Sequence, residues 1–328
     1  MIKRALVVGI DHYGDAPLEG CVNDANAITQ VLESNGDGSP NFEVKTLTSD
    51  VRQVTNAVLQ DAIGELFRAE ADIALLYFAG HGILNPETNA GYVVGQDGKK
   101  GSWGVGMAEI LNLANEAHPR IKSSVIVLDS CHSGYAGEVA GLGRANASVI
   151  GTGVTILTAT HRDGEADDGP HGLFTEILLD GLRGGCSDIR GNVTPAALYS
   201  HVDQTLGAWE QRPIYKANVQ TFIELRQVTP KVPDDVLRRL PEYFPERASV
   251  FALDPSYEED RTNAPQLAHV PVDPDHVRIF KELQKCNRHG LVVPVDEEFM
   301  YYAAINSTGC RLTAMGAHYR KLAKLRRI

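Results

Sequence analysis

Short apolar runs rich in β-branched residues alternate with longer amphipathic stretches over the first 228 residues. Six of these runs predict strands, namely ALVVGI, FEVKTL, IALLYFAG, SSVIVLDS, VTILTAT and TFIEL. Between the first three runs, NDANAITQVLES and VTNAVLQDAIGELFRA carry apolar residues at helical spacing. We expect Asn23 or Asp24 to cap the first helix, because both residue types are favoured there. The alternation predicts an α/β domain with a mainly parallel sheet and helices on both faces.

The remaining hundred residues follow a different pattern. Residues 229–275 are rich in proline and charge without a sustained period, which is typical of a linker with one short helix. Residues 276–328 contain two helical stretches and then CRLTAMGAHYRKLAKLRRI, a short extended piece with an N-cap candidate at Thr313 before a basic helix. The predicted division is a large domain over 1–228, a linker over 229–275 and a small helical or winged-helix-like domain over 276–328.

Composition narrows the classes of protein. The 328 residues are 43% hydrophobic and 22% charged, as in ordinary globular chains, and no apolar run reaches the roughly 18 residues that span a bilayer. The five cysteines are widely spaced without a C-x-x-C pair, which favours a reducing, cytoplasmic setting over a disulfide framework. A net charge of -11 argues against nucleic-acid binding by the whole chain but leaves room for a basic patch.

Two predicted strands end in unusual polar turns. The third ends in YFAGHG, which places His81 between glycines, and the fourth ends in VLDSCHSG, which places Cys131 just past the strand. If these strands are neighbours, the imidazole and the thiol emerge at one edge of the sheet as a base and a nucleophile. The backbone N–H groups of Gly82 and Cys131 could then hold a developing oxyanion.

Plainer interpretations of these turns stay open on spacing alone. A single cysteine at a strand end is more often a small core residue, and a G-H-G turn more often carries a solvated imidazole. His132 and His171 fit structural or solvated roles better than catalytic ones, and the acidic run in RDGEADDGPHGLF fits a solvated loop. A zinc site at Cys131, His132 and His81 lacks paired-ligand spacing.

A family resemblance adds to this interpretation. The segments ALVVGIDHY, GCVNDANAI, ALLYFAGHG, GYVVGQDG, VIVLDSCHSG and HGLFTEILLDGL occur in the order found in caspase-like peptidases. Over residues 1–228 the chain resembles the metacaspase-type members most. The resemblance implies a caspase-hemoglobinase fold and cysteine endopeptidase activity, with His81 as general base and Cys131 as nucleophile.

The resemblance also implies a substrate preference. In metacaspase-type relatives, acids at the positions of Asp24 and Asp129 line a pocket for a basic side chain, with Cys21 at its edge. Two carboxylates in a partly desolvated pocket would select Arg or Lys and repel acidic residues. The alternative is that Asp24 only caps a helix and Asp129 only ends a strand.

The chain departs from this group at two places. Many metacaspases bind calcium through acids after the histidine, whereas GYVVGQDGKKGSWGVG offers mainly Asp97. Calcium takes about six or more oxygen ligands, so this segment is a poor site, and we expect no cofactor and no metal. The group often has a polar residue two positions before the histidine, where this chain has Ala79, a change that would loosen the basic pocket.

The carboxyl-terminal segment carries positive charge without an acid. Its basic residues are Arg311, Arg320, Lys321, Lys324, Arg326 and Arg327. Such a helix can bind phosphates, face solvent or dock to an acidic protein, and we favour a regulatory or protein-interaction role. In the linker, four arginines are candidate processing sites for the enzyme itself or another protease: Arg238, Arg239, Arg247 and Arg261.

Two functions therefore compete. The first is a cysteine endopeptidase that cleaves proteins after Arg or Lys and stays inactive until a partner, a cleavage or a conformational signal acts. The family type places such enzymes in microbial cell suicide or phage defence, including CRISPR-linked cascades. The second is a nucleic-acid-binding regulator whose winged-helix-like end is functional and whose peptidase domain is a sensor or an inactive scaffold.

Overall fold

The computed structural model describes residues 1–85, 87–88, 90–130, 150–159, 171–207 and 213–328. These residues form two compact units, the first comprising 1–187 and 191–229 and the second comprising 188–190 and 230–328. Within the described residues, no helix combines the length and the apolar character needed to cross a membrane.

The first unit is built around a six-stranded sheet. The described strands of this unit, which include those of two smaller sheets, are β1 (Lys3–Gly9), β2 (Glu43–Thr48), β3 (Ala71–Ala79), β4 (Gly82–Leu84), β5 (Gly91–Val93), β6 (Val105–Gly106), β7 (Ile121–Asp129), β8 (Val154–Thr158), β9 (Asn192–Val193), β10 (Ile214–Asn218) and β11 (Arg226–Gln227). Its helices are α1 (Cys21–Glu33), α2 (Asn56–Arg68), α3 (Met107–Ala117), α4 (Leu173–Asp180) and α5 (Pro195–Leu206).

The large sheet has the order β10-β8-β7-β3-β1-β2, and all of its neighbouring strands are parallel except β10 and β8. Successive residues of β1 point to opposite faces, so Leu6 packs with α2 and α3 while Val7 packs with α1, α4 and α5. Both faces are therefore buried, which explains the continuous apolar runs. The predicted α/β class with helices on both faces is confirmed.

One predicted strand is wrong. The run TFIEL forms no ladder, and the sixth strand is β10, which pairs antiparallel with β8 at the sheet edge. In the run, Ile223 and Leu225 are buried in the core while Phe222 is exposed. Core packing therefore explains its apolar pattern, whereas the half-exposed edge strand IYKAN lacks such a pattern.

The predicted cap of α1 is also wrong. The N-cap residue is Gly20, with φ 95°, and the carboxylate of Asp11 accepts hydrogen bonds from the N–H groups of Cys21 (2.8 Å) and Val22 (3.1 Å). Asp11 therefore satisfies two of the unpaired donors at the helix start, and the side chain of Asp24 is left for other contacts. A Cβ at Gly9 would lie 2.3 Å from the carbonyl oxygen of Cys21, so this glycine allows α1 to approach the end of β1.

The second unit has its own sheet and core. Its elements are α6 (Asp234–Tyr243), β12 (Val250–Phe251), α7 (Pro274–Arg288), β13 (Val292–Pro294), α8 (Met300–Ile305), β14 (Cys310–Leu312) and α9 (Ala314–Lys324). The strands pair antiparallel in the order β12-β14-β13, although α8 lies between β13 and β14 in the sequence. The winged-helix identity of this unit stays a prediction.

The segment 229–275 differs from the expected linker. It contains α6 and β12, and Leu237, Leu240 and Phe244 are buried in the core of the second unit. One of its charged residues, Arg239, donates to both carboxylate oxygens of Glu282 in α7 at 2.9 Å and so links two helices of this unit.

The folding of this segment changes the processing hypothesis. Arg238 and Arg239 lie in α6, and the guanidinium of Arg261 donates to the carbonyl groups of Glu258 and Pro255. A protease needs extended, accessible backbone, so these three arginines are poor sites. Arg247 lies outside the helices and strands and is exposed.

Thr313, Gly316 and Arg320 each have a structural role at the final helix, α9. Thr313 caps α9 by accepting the N–H of Gly316, which confirms the predicted cap, and a Cβ at Gly316 would clash with the carbonyl of Leu291. Arg320 is buried and donates to the carbonyl groups of Phe244 and Pro245, which follow α6. Arg320 is therefore a structural residue of the second unit and not part of its basic surface.

We predict that Arg320→Ala loosens the second unit. The change leaves two carbonyl groups without their donor, which costs about 1–3 kcal/mol. Amide hydrogens of α9 should then exchange roughly tenfold faster or more in hydrogen-exchange mass spectrometry. Lys321→Ala, at the neighbouring exposed position, is the control and should leave exchange unchanged. Equal exchange in the two variants would contradict the structural role of Arg320.

Candidate active site

The two polar turns follow neighbouring strands. Strand β3 pairs in parallel with β7, in a register that places Ala79 opposite Asp129, and the N–H of Gly80 donates to the carbonyl of Asp129 (3.3 Å). His81 follows β3 directly after Gly80, and Ser130 follows β7. Cys131 and His132 lie outside the described residues, so their predicted roles stay predictions. The pairing meets the condition under which His81 and Cys131 would leave the sheet at one edge.

The backbone of His81 is fixed by Tyr13. The N–H of His81 donates to the Tyr13 hydroxyl (3.0 Å), which donates to the carbonyl of Val94 (2.9 Å). The two rings lie 4.4 Å apart between centroids. A Cβ at Gly80 would lie 2.6 Å from the Tyr13 hydroxyl, which explains the first glycine of the G-H-G turn. Gly82, the predicted oxyanion donor, is the first residue of β4.

The imidazole of His81 has a partner that the sequence did not reveal. Its Nε2 lies 2.7 Å from the carbonyl oxygen of Ala16. A carbonyl can only accept, so Nε2 carries a proton, and in the neutral ring Nδ1 holds the lone pair. If His81 acts as the predicted base, the Ala16 carbonyl is a third group that orients its ring.

Asp24 and Asp129 converge on one point beside this edge. A Cβ at Gly172 would lie 3.5 Å from Oδ2 of both carboxylates, so the two oxygens are at most twice that distance apart. Asp24 is 3% exposed and comes from the first turn of α1, whereas Asp129 is the last residue of β7. The structure therefore brings together two of the predicted pocket residues from elements far apart in the sequence.

Asp24 is held by the residues just before α4. Its Oδ1 lies 2.7 Å from Nδ1 of His171, and its Oδ2 accepts the N–H of Gly172 at 3.3 Å. These contacts contradict the interpretation of Asp24 as a simple helix cap. His171, which the sequence placed among structural or solvated residues, lies in the acidic cluster itself.

Asp129 is held by a buried hydroxyl chain. Its Oδ2 accepts the hydroxyl of Thr175 (2.7 Å), and the hydroxyls of Thr175 and Tyr77 lie 2.5 Å apart. Because Thr175 has one hydroxyl hydrogen, which it gives to Asp129, the Tyr77 hydroxyl donates to Thr175. Both Thr175 and Tyr77 are buried. The chain orients the carboxylate from inside the core.

Electrostatics at this cluster follow from burial and from the two acids. Burial raises the pKa of Asp24 to about 6, while the His171 hydrogen bond lowers it and the charge of Asp129 raises it. Burial, followed by the charges of Asp11, Asp129 and Asp24, raises the pKa of Cys21 well above the ordinary thiol value. Cys21 is therefore a neutral thiol near the acids, suited to line a pocket and unsuited to be a nucleophile.

The segment after His81, which we expected to be a poor calcium site, uses its acid in a structural contact. Oδ1 of Asp97 accepts the N–H of Asn56, the first residue of α2, at 2.6 Å. Across the described ranges, no cluster of three or more His, Cys, Asp or Glu side chains is arranged to hold a metal ion. Ala79, the second departure, is buried in the core beside α1 and α4. The acidic run 163–168 lies outside the described residues.

Several residues of this cluster escaped sequence reasoning. Tyr13 and Thr175 act through hydroxyls that meet their partners only in the fold, and Ala16 acts through its backbone. The sequence offered one indication for His171, because it is the first residue of HGLFTEILLDGL, a segment of the family resemblance that leads into α4.

The chain was compared with known proteins. The family model of the caspase domain matches residues 2–223, more than half of the chain. None of the curated proteins matches. Protein GSU0716 from Geobacter sulfurreducens is a structural neighbour, with 19% identity, a TM-score of 0.49 and coverage of 70% of this chain and 99% of its own. Caspase-1 from Spodoptera frugiperda is another, with 13% identity, a TM-score of 0.49 and coverage of 69% and 90%. The family assignment rests on the match to the family model and not on these structural neighbours.

We predict that Asp24 titrates anomalously. Because its pKa is raised to about 6 by burial, the carboxyl carbon signal of Asp24 should show a midpoint near that value in an NMR pH titration. Loss of the signal in Asp24→Asn would assign it. The folded state then binds an extra proton between about pH 4 and pH 6, so the stability of the parent chain relative to Asp24→Asn falls as pH rises through this window.

Asp37 is the matched control for this titration. Hydrogen bonds from Ser39 lower the pKa of Asp37, so its midpoint should lie below the ordinary aspartate value. A midpoint for Asp24 near about 4, the value of a solvated aspartate, would contradict the buried acidic cluster.

Proposed function

Because the chain belongs to the caspase-domain family of cysteine peptidases, we propose that it is a metacaspase-type endopeptidase that cleaves proteins after Arg or Lys. The observation that carries the specificity is the convergence of Asp24 and Asp129 on Gly172. The expected partner is thus a protein substrate with a basic residue before the scissile bond.

The mechanism begins with His81. With Nε2–H donating to the carbonyl of Ala16, Nδ1 takes the proton of the Cys131 thiol, and the thiolate attacks the scissile carbonyl carbon. The N–H groups of Gly82 and Cys131 stabilise the oxyanion that forms. His81 then protonates the leaving amine, and a water molecule deprotonated by the same imidazole hydrolyses the thioester.

The acidic pair supplies the substrate preference. A guanidinium or ammonium group near Asp24 and Asp129 replaces water with charge-assisted hydrogen bonds, whereas an acidic side chain meets two like charges. Cys21 lines the same region as a neutral thiol, because burial raises its pKa. Asp129 is oriented by Thr175. The two carboxylates thus favour Arg and Lys over Asp.

The biological role is proposed from the family type. A regulated effector of microbial cell suicide or phage defence, including a CRISPR-linked one, fits a peptidase joined to a second compact unit. An activating protein or protease is the expected partner, with the exposed Arg247 as the candidate cleavage point. The enzyme is proposed to act in the cytoplasm without a cofactor.

A second candidate function rests on the basic end of the chain. Five basic residues there are exposed: Arg311, Lys321, Lys324, Arg326 and Arg327. A cluster of this kind can neutralise phosphates, which supports the alternative of a nucleic-acid-binding regulator with a sensor peptidase domain. The inward placement of Arg320 reduces this surface relative to the sequence pattern.

We predict cleavage of peptides that end in Arg or Lys and no cleavage after Asp. Cys131→Ala should abolish turnover, because the nucleophile is lost, and His81→Ala should lower kcat by about a hundredfold or more. Fluorogenic peptides with Arg, Lys or Asp at the cleavage position measure both effects, with calcium and with chelator. Cys186→Ala, a cysteine remote from the proposed roles, is the control. Absence of Cys131-dependent turnover under every condition would overturn the enzyme proposal, and a preference for Asp would overturn the proposed specificity.

The nucleic-acid alternative predicts a different result. Lys321→Glu with Lys324→Glu in the full chain should weaken binding to duplex DNA, and the parent chain should lose affinity steeply as salt rises. Fluorescence anisotropy at several salt concentrations measures this, with the double change Lys99→Glu and Lys100→Glu, at two exposed positions of the first unit, as a charge-matched control. Absence of salt-dependent binding by the parent chain would eliminate this alternative.

A further inference from the structure

The imidazole of His171 lies where a basic substrate group is expected to bind. Its Nδ1 is 2.7 Å from Oδ1 of Asp24, and the His171 side chain is 17% exposed whereas that of Asp24 is 4% exposed. The side-chain amide of Asn23 lies 3.3 Å from the same Nδ1. His171 therefore lies between the buried carboxylate of Asp24 and the exposed side chain of Asn23.

The contacts on Asp24 resemble those that a guanidinium would make. One N–H donor from His171 reaches Oδ1, and the backbone N–H of Gly172 reaches Oδ2. A guanidinium offers parallel N–H donors to the two oxygens of a carboxylate, and an ammonium offers donors to either. The ring N–H of His171 thus occupies one of the two oxygens that a guanidinium would use in a bidentate contact.

The two internal donors differ in how firmly they are held. Gly172 is the N-cap of α4, and its carbonyl accepts the N–H of Glu176 at 2.8 Å, so its backbone is fixed by the helix. The His171 side chain can leave Oδ1 by rotation about its own side-chain bonds. Asp24 would keep the Gly172 N–H when the imidazole leaves, so its carboxylate stays oriented.

Since Asp24 belongs to the proposed basic pocket, this inference rests on the proposed function. We propose that His171 is an affinity-determining residue that occupies Asp24 in the absence of substrate and that a basic substrate side chain must displace. Its ring N–H competes for Oδ1, and each substrate molecule gives up part of its binding free energy to replace it. His171 thereby weakens the binding of substrates that carry a basic residue at the cleavage position.

Kinetics of His171→Ala test this competition. On an Arg peptide, KM should fall by about threefold to tenfold, the range of one exchanged hydrogen bond, while kcat is unchanged. Leu173→Ala, an exposed neighbour at the start of α4, is the control and should keep the parent KM. An unchanged KM would overturn the inference, and a raised KM would do so as well, because it would make His171 a support of Asp24.

A direct measurement covers the case in which His171→Ala does not fold. In full-length Cys131→Ala protein, benzamidine, a small amidinium, should shift the His171 ring resonances in NMR spectra with saturation. His171 resonances that stay constant to the solubility limit of benzamidine would overturn the inference. The two proposals fail separately: no cleavage of Arg peptides by the parent chain removes the proposed function, whereas cleavage with an unaltered KM in His171→Ala removes only the role of His171.

Discussion

The parallel ladder between β3 and β7 is the constraint on which the rest of the site depends. Its register sets Ala79 against Asp129, and the hydrogen bond from Gly80 to Asp129 continues the pairing past the last regular residue of β3. A shift by one residue would turn every side chain of β7 to the opposite face and remove Asp129 from Asp24. Buried apolar residues on both faces of the two strands make such a shift costly. The core therefore determines where the turn with His81 and the carboxylate of Asp129 lie relative to each other.

A second constraint is the close approach of α1 to the end of β1. Gly9 leaves room for the backbone of Cys21, and Asp11 satisfies the first N–H groups of the helix. The first turn of α1 is thus held at the edge of the sheet, where Asp24 reaches His171 and Gly172. The buried acid has a raised pKa because this position removes it from water. Packing of a helix against a strand end thereby buries Asp24 and brings its carboxylate near that of Asp129.

Parts of this arrangement were accessible from the sequence. The apolar runs predicted β1, β3 and β7, because strands buried on both faces need continuous apolar residues. The resemblance assigned Asp24 and Asp129 to one pocket, and the structure brings their carboxylates together. The edge strand β10 was missed because half-exposed residues lack such a pattern.

Other parts could not be predicted from local patterns. The carbonyl of Ala16 has no residue-specific signal, and the contact between His171 and Asp24 joins positions 147 residues apart. The prolines and charges of residues 229–275 predicted a linker with one short helix and hid its packing into a core, although Val236, Leu237 and Leu240 have the spacing of a buried helical face. Local propensity identifies elements, whereas polar contacts between distant elements depend on the assembled core.

Covalent labelling provides the most direct test of the central claim that the β3 and β7 turns form one catalytic site beside an acidic pocket. The full chain would be treated with peptide acyloxymethyl ketones ending in Arg or Asp, and the modified residue located by mass spectrometry. The account predicts one adduct per chain, on Cys131, with the Arg reagent only. Of the four other cysteines, Cys21, Cys286 and Cys310 have a pKa raised by burial and stay thiols. An adduct on another cysteine, or equal labelling by the Asp reagent, would contradict it.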